Sequence, residues 1–341
     1  MRMVSGSREE YWVKLADAPT MPGLRFRYCR GEPDYKRMAE ILKAERDADQ
    51  VEYTVSIEDI ERGFKHLENC DPCLDFLFAE VDGKAIGYSE TSWAKDTTGG
   101  YLYFVNVHLL PEWRGKGVRD AMLRGCERRL REVAKTNPRD DSHLIQSVMM
   151  ESEKDWASVL ERHGYRVYRF GLKLRRASLE DVPDLPFPEG IEVRPVKPEH
   201  VRAVVDAWNE ACKDMRSQIP ISDEGFKEFQ EAPIFDTSLW QVAWHEDKVV
   251  GTVMNFINEA ENEQNDRKRG YVELISVQRP WRRKGIAKAM IAKSLKVLKE
   301  RGMTEAALGV DAENPSGALH LYETLGFRVE KRVVFYRKPM A

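Results

Sequence analysis

The strand-like run Tyr271-Val272-Glu273-Leu274-Ile275-Ser276-Val277, followed after Gln278-Arg279-Pro280-Trp281 by the turn Arg282-Arg283-Lys284-Gly285-Ile286-Ala287, decides the fold. The first seven residues are rich in β-branched and apolar side chains, and Pro280 closes the run. Beyond the basic turn, Ala287, Ile291, Leu295 and Leu298 fall at i, i+4, i+8 and i+11, the apolar stripe of a helix, with Gly302 as its stop. A glycine-containing loop therefore joins a strand to a helix N-terminus. Unpaired backbone N–H groups and the positive helix end make such a loop an anion site, which Gly285 and the small Ala287 leave open to a pyrophosphate. Arg282, Arg283 and Lys284 add charge. The plainer alternative is a solvated basic turn before a surface helix. The spacing is neither the Gly-rich dinucleotide fingerprint nor a P-loop.

Outward from this stretch, the same series of elements occurs twice. Leu24-Arg25-Phe26-Arg27-Tyr28 and Ile191-Glu192-Val193-Arg194-Pro195-Val196 read as opening strands. Helices follow, from about Asp34 to Ala48 and from near Pro198 to about Lys213. Hairpins turn at Asp82-Gly83 and at Glu246-Asp247. Tyr101 to Leu109 leads into Trp113-Arg114-Gly115-Lys116-Gly117 as Tyr271 to Val277 leads into Trp281-Arg282-Arg283-Lys284-Gly285. The offsets agree: Arg27 to Arg194 is 167 residues, Gly87 to Gly251 is 164, Trp113 to Trp281 is 168 and Gly164 to Gly326 is 162. Two homologous domains, 1–178 and 179–341, are the economical reading, joined by a Pro-rich segment from Leu179 to Gly190 that suits a semi-rigid linker.

Arg282-x-x-Gly285-x-Ala287 after a strand resembles the Gln/Arg-x-x-Gly-x-Gly/Ala signature of the GNAT acetyltransferase superfamily. Val310-Asp311-Ala312-Glu313-Asn314 and the run Ala318 to Phe327, with Tyr322 four residues before Gly326-Phe327, resemble its second hallmark. The whole chain is similar to two-domain GNAT proteins of the mycothiol synthase type. The resemblance implies two tandem α/β domains with mixed sheets, acetyl-CoA as co-substrate and no metal. It implies that Arg282, Arg283, Lys284, Gly285, Ile286 and Ala287 hold the coenzyme A pyrophosphate. By the same resemblance Ile275, Ser276 and Val277 pair with the pantetheine arm, Asn314 contacts the cofactor, Tyr322 protonates the leaving thiolate and Glu273 acts as base.

The residue chemistry supports these roles separately. Attack on a thioester needs a neutral amine, hence a proton acceptor, and an acid for the departing sulfur. Strand alternation places Glu273, Ile275 and Val277 on one face. Glu273 is then either functional or paired with a cation, Tyr322 either an acid or a packing aromatic, and Asn314 either a ligand or a helix cap before Pro315. The first copy departs from the pattern. Arg119 stands where the second has Ala287, Leu160 where it has Tyr322, Ser152 where it has Asn314 and Val105 where it has Glu273. The framework is kept and the chemistry lost. Arg119 would crowd a pyrophosphate or point to solvent, and His108 reads as structural.

Composition bounds the rest. A chain of 341 residues with 42% apolar and 33% charged residues is globular, and a net charge of −3 excludes a chain-wide basic field for nucleic acid. No apolar run is long enough for a membrane span and no signal peptide is apparent. Five Cys make no disulfide framework, so the chain reads as cytoplasmic. Cys70-x-x-Cys73 has no second pair for zinc. Trp208, Phe226, Phe229, Phe235 and Trp240 line an acceptor site or pack a core, and Glu259 to Arg269 reads as a solvated hairpin loop. The expected activity is direct acetyl transfer from acetyl-CoA to a primary amine of a small molecule or peptide. A cysteinyl amine acceptor is the narrower alternative, and a non-catalytic acyl-CoA-binding protein the alternative from another class.

Overall fold

A computed structural model of the chain describes residues 12–138, 141–215, 218–313 and 317–340. Contacts gather into two units. One holds the described chain up to Lys95, Gly99–Tyr168 and the C-terminal stretch from Phe335; the other holds Asp96–Thr98 and Arg169–Val334.

The first unit contains β1 (Trp12–Val13), β2 (Leu24–Tyr28), α1 (Glu32–Asp49), α2 (Ile57–Lys65), α3 (Pro72–Asp75), β3 (Phe76–Val81), β4 (Lys84–Lys95), β5 (Tyr101–Leu109), α4 (Val118–Ala134), β6 (His143–Met150), α5 (Lys154–Arg162) and the start of β7 (Arg166–Arg176). Its sheet runs β1-β2-β3-β4-β5-β6. The β3–β4 hairpin turns at Asp82 (φ 50°) and Gly83 (φ 79°), the left-handed pair that matches the strand twist. β4 and β5 pair without interruption from Gly87↔Leu109 to Lys95↔Tyr101. β5 and β6 are parallel but pair only from Tyr101↔His143 to Phe104↔Gln146.

The second unit repeats this plan. It comprises the rest of β7, β8 (Glu192–Val193), α6 (Val201–Cys212), α7 (Asp223–Glu231), β9 (Gln241–His245), β10 (Lys248–Ile257), α8 (Glu259–Gln264), β11 (Arg269–Val277), α9 (Ile286–Glu300), β12 (Glu305–Asp311), α10 (Ala318–Thr324) and most of β13 (Arg328–Pro339). Strand order is β8-β9-β10-β11-β12-β7. One sheet face packs on α9 and α10 through Leu174, Val253, Val272, Met290, Ile291, Leu295, Leu308 and Phe327. The other packs on α6 and α7 through Val204, Trp208, Trp240, Met254 and Phe256. Gly270 lets α9 lie close over β11, since a Cβ there would fall 2.5 Å from the Leu298 side chain.

Four expectations change. The units part after Tyr168 rather than at 178, because Gly171–Arg176 of β7 pair with Ala306–Asp311 of β12. The chain's last strand in turn runs back into the first unit, where the Met340 N–H donates to the His143 carbonyl at 3.1 Å. The Pro-rich segment after Leu179 is no free spacer: Leu179 is buried, its N–H bonds the Thr304 carbonyl at 3.1 Å, and Val182, Leu185 and Phe187 pack on the second core. Between β10 and β11 the polar stretch forms α8, capped by Asn258, with Glu261 and Asn262 buried. The opening strand of the second unit is only Glu192–Val193, because Pro195 has no N–H for a ladder.

Candidate active site

β11 and β12 start as parallel neighbours at Arg269↔Glu305 and separate after Tyr271↔Ala307. β12 continues along β7 to Asp311↔Gly171, so the edge of β11 from Val272 onward faces a gap. Within that edge lies a β-bulge. Met254 pairs with Glu273 and Thr252 with Ser276, leaving Leu274 and Ile275 opposite Val253 alone. Leu274 takes φ 46°, a left-handed conformation that a bulky side chain rarely adopts and that is characteristic of functional sites.

The bulge breaks the shared face expected for Glu273, Ile275 and Val277. Ile275 and Val277 pack on the α9 core. Glu273 faces the other way, towards Gly309 of β12 and Lys173 of β7, whose strand neighbours Leu308, Val310, Leu172 and Leu174 belong to that core. Glu273 is half-buried. Burial pushes its carboxyl above the usual range, against the opposing pull of the Lys173 ammonium and the Gly309 backbone. Tyr322, in α10, is buried against Phe327 with ring centroids 6.3 Å apart. Burial raises its hydroxyl first, and the Glu273 carboxylate raises it further, so this group stays protonated beside a carboxylate. The structure thus brings Glu273 and Tyr322 within electrostatic reach. It adds Lys173 and Gly309, which the sequence reading missed. Lys173 lay in the expected first domain, and no local pattern marks a glycine as facing a carboxylate across a gap.

The loop after β11 has the geometry of an anion cradle. Gly285 (φ 85°) is the N-cap of α9 and Arg283 is also left-handed (φ 65°). Among the described residues the backbone N–H groups of 283–288 meet no acceptor. Arg283, Lys284 and Gly285 are exposed and Ala287 half-buried. The Lys284 ammonium lies 4.6 Å from the Trp281 ring centre. Ile286 is buried in the core, so only its backbone faces the cradle. Arg282 has partners within the fold. Its Nε donates to the Val277 carbonyl at 2.9 Å and its Nη2 lies 2.6 Å from Asp214, a carboxylate that Arg279 and Arg282 hold down to about 2. It ties the loop to the strand end. The Ser276 hydroxyl is bonded to Thr252 at 2.8 Å, and Ser276 is the ladder partner of that same residue in β10. Asn314 lies outside the described residues.

Other candidates resolve into structure. Phe229, Phe235, Trp240 and Phe256 form one aromatic cluster, with Phe229 and Trp240 stacked at 5.9 Å. Cys70 and Cys73 are free thiols; burial pushes Cys70 up to about 12. No cluster of three or more His, Cys, Asp or Glu suited to a metal occurs among the described residues, and none of their helices is long and apolar enough to cross a membrane.

Comparison with known proteins agrees with this architecture. The profile of the acetyltransferase (GNAT) family matches residues 36–137 and again 203–327, one match in each copy of the repeat. A mycothiol acetyltransferase of Nocardiopsis dassonvillei is 26% identical over 285 residues, 77% of this chain and 82% of that protein. The N-alpha-acetyltransferase MAK3 of Arabidopsis thaliana is 34% identical over 95 residues, 28% of this chain, and the match spans about half of that relative (47%). A GCN5-related N-acetyltransferase from Sphaerobacter thermophilus superposes with a TM-score of 0.72 at 26% identity, covering 94% of this chain and 97% of that one. The chain belongs to the GNAT acetyltransferase family, a family of acyltransferase enzymes, and carries its domain twice.

Proposed function

We propose that the second unit transfers an acetyl group from acetyl-CoA to a primary amine of a small molecule or peptide, by direct attack with both substrates bound. The pyrophosphate lies on the backbone N–H groups of 283–288, with Arg283 and Lys284 supplying charge. The pantetheine arm runs along the open edge of β11 at Ile275, Ser276 and Val277, and Asn314 adds a cofactor contact. Glu273 takes a proton from the acceptor ammonium, directly or through water. The neutral amine then attacks the thioester carbonyl. As the C–S bond breaks, Tyr322 gives its proton to the leaving thiolate, so amide and free thiol are the products.

One observation supports this reading above the others: β11 loses its partner β12 after Tyr271, and its open edge leads into a loop whose backbone amides meet no acceptor among the described residues. The likeness to the Nocardiopsis mycothiol acetyltransferase favours a cysteinyl amine as the acceptor. Free thiol released from acetyl-CoA over a panel of amines, cysteinyl amines included, tests the proposal. Turnover with one acceptor class and not others supports it and names the class. Tight acetyl-CoA binding with no turnover on any amine overturns catalysis in favour of a binding protein.

A further inference from the structure

In the first unit, β5 leaves β6 after Phe104, so its edge from Val105 to Leu109 faces a gap like the one beside β11. An offset of 168 residues sets Val107 against Ile275 and Leu109 against Val277. In the second unit no side chain bonds the Ile275 carbonyl or the Val277 N–H among the described residues. In the first unit both counterparts are occupied. The Val107 carbonyl accepts from Arg119 Nε at 3.0 Å, and the Leu109 N–H donates to Glu45 Oε1 at 3.0 Å. Arg119 and Glu45 are ion-paired to each other through that same oxygen, and both are buried. Asp155 holds the guanidinium from the far side at 2.6 Å, and His108 Nδ1 lies 2.8 Å from the second Glu45 oxygen.

We infer that the Arg119–Glu45 pair is a built-in occupant of the first unit's cofactor slot, so that the chain takes up one acyl-CoA and not two. This rests on the reading of the second unit given above. An amide ligand lying along β5 would offer an N–H to the Val107 carbonyl and a carbonyl to the Leu109 N–H. The guanidinium and carboxylate supply the same donor and acceptor, charge-assisted and therefore stronger than a neutral amide. To displace them a ligand must separate two buried charges, leaving Arg119 to Asp155 and Glu45 to His108, at a cost that a neutral amide does not repay. Arg114, the counterpart of Arg282, is held by Asp49 through two bonds of 2.8 and 2.7 Å, and a Cβ on Gly117 would lie 3.7 Å from Pro19. The slot is filled because Arg119 stands where the second unit has Ala287.

The test uses the full-length chain in two measurements. In equilibrium dialysis with labelled acetyl-CoA, the wild type is expected to bind one molecule per chain. Gly285→Val should weaken binding more than 100-fold, while Arg119→Gln leaves the affinity of that site unchanged. Two sites in the wild type, or one that survives Gly285→Val intact, overturn the inference. Amide hydrogen exchange reads the slot directly. The Leu109 amide should exchange slowly without ligand, be indifferent to acetyl-CoA, and exchange at least tenfold faster in Arg119→Gln. The Val277 amide should slow when acetyl-CoA is added. Slowing at Leu109 on addition of acetyl-CoA overturns the inference. No binding and no change at Val277 overturns the reading of the second unit instead, and the Leu109 result still decides the occupancy of the first.

Discussion

Glu273 and Lys173 meet over Gly309: a Cβ on Gly309 would lie 3.8 Å from both carboxylate oxygens of Glu273 and 3.6 Å from the Lys173 ammonium. The proposed base and its counter-charge stand on β11 and β7, with β12 between them. Burial raises the Glu273 carboxyl and Lys173 lowers it. Replacing Lys173 with Met removes the lowering influence, so the carboxyl rises further and a smaller fraction is ionised at any given acidic pH. The acid limb of kcat/KM should move to higher pH, with the alkaline plateau kept. An unmoved limb would mean that the limb reports another group, such as the acceptor amine. Acceptors of different amine pKa separate the two.

Glu273→Gln should act on activity and stability in opposite directions. Positioned proton transfer contributes about 10²–10⁴-fold, and turnover should fall by that order while acetyl-CoA affinity stays. A carboxyl raised in the folded state disfavours folding once the pH exceeds its unfolded value, near 4.3. Gln carries no such charge, so thermal unfolding at neutral pH should occur at an equal or higher temperature than in the wild type. Full turnover with a good acceptor would remove Glu273 from the mechanism.

Tyr322→Phe removes only a hydroxyl. If that hydroxyl protonates the leaving thiolate, the loss, again about 10²–10⁴-fold, should shrink for acyl donors whose thiol is more acidic and leaves unaided. The same loss for every donor would assign Tyr322 to packing against Phe327.

The strands and the loop of the site are legible from residues 271–287 because strand pattern, left-handed glycine and helix stripe are local properties. β5 spans Tyr101–Leu109 as read, and the Gly285 turn caps α9 as read. What alternation alone misplaces is the direction of Glu273, because a bulge at Leu274 inverts the period and nothing in Glu-Leu-Ile-Ser announces it. Nor does the repeat reveal that β7 belongs largely to the second unit, since pairing between Leu174 and Leu308 is set by partners 134 residues apart. Arg119 was visible as a departure from the pattern. That it turns inward depends on Glu45, on a helix with no sequence link to the loop.

The first unit's charge network makes a pH prediction of its own. His108 faces Glu45 at 2.8 Å and Glu90 at 4.0 Å, and despite desolvation these two carboxylates raise its imidazole to about 9. Arg119 and Leu109 hold the other side of Glu45. A folded-state value above the unfolded one of about 6.5 stabilises the fold fully below that lower value, and the contribution disappears as pH rises through about 9. The difference corresponds to a ceiling of roughly 3 kcal/mol, reduced because Glu90 is partly exposed to solvent. His108→Gln should therefore lower the melting temperature of the first unit by several degrees at pH 6. Wild type and variant should converge as the pH approaches 10, where the imidazole is neutral in both folded and unfolded chains. Acetyl-CoA binding in the second unit should be untouched throughout. A deficit that persists undiminished at pH 10 would show that His108 acts through packing against Tyr88, whose ring lies 4.8 Å away, and not through its charge.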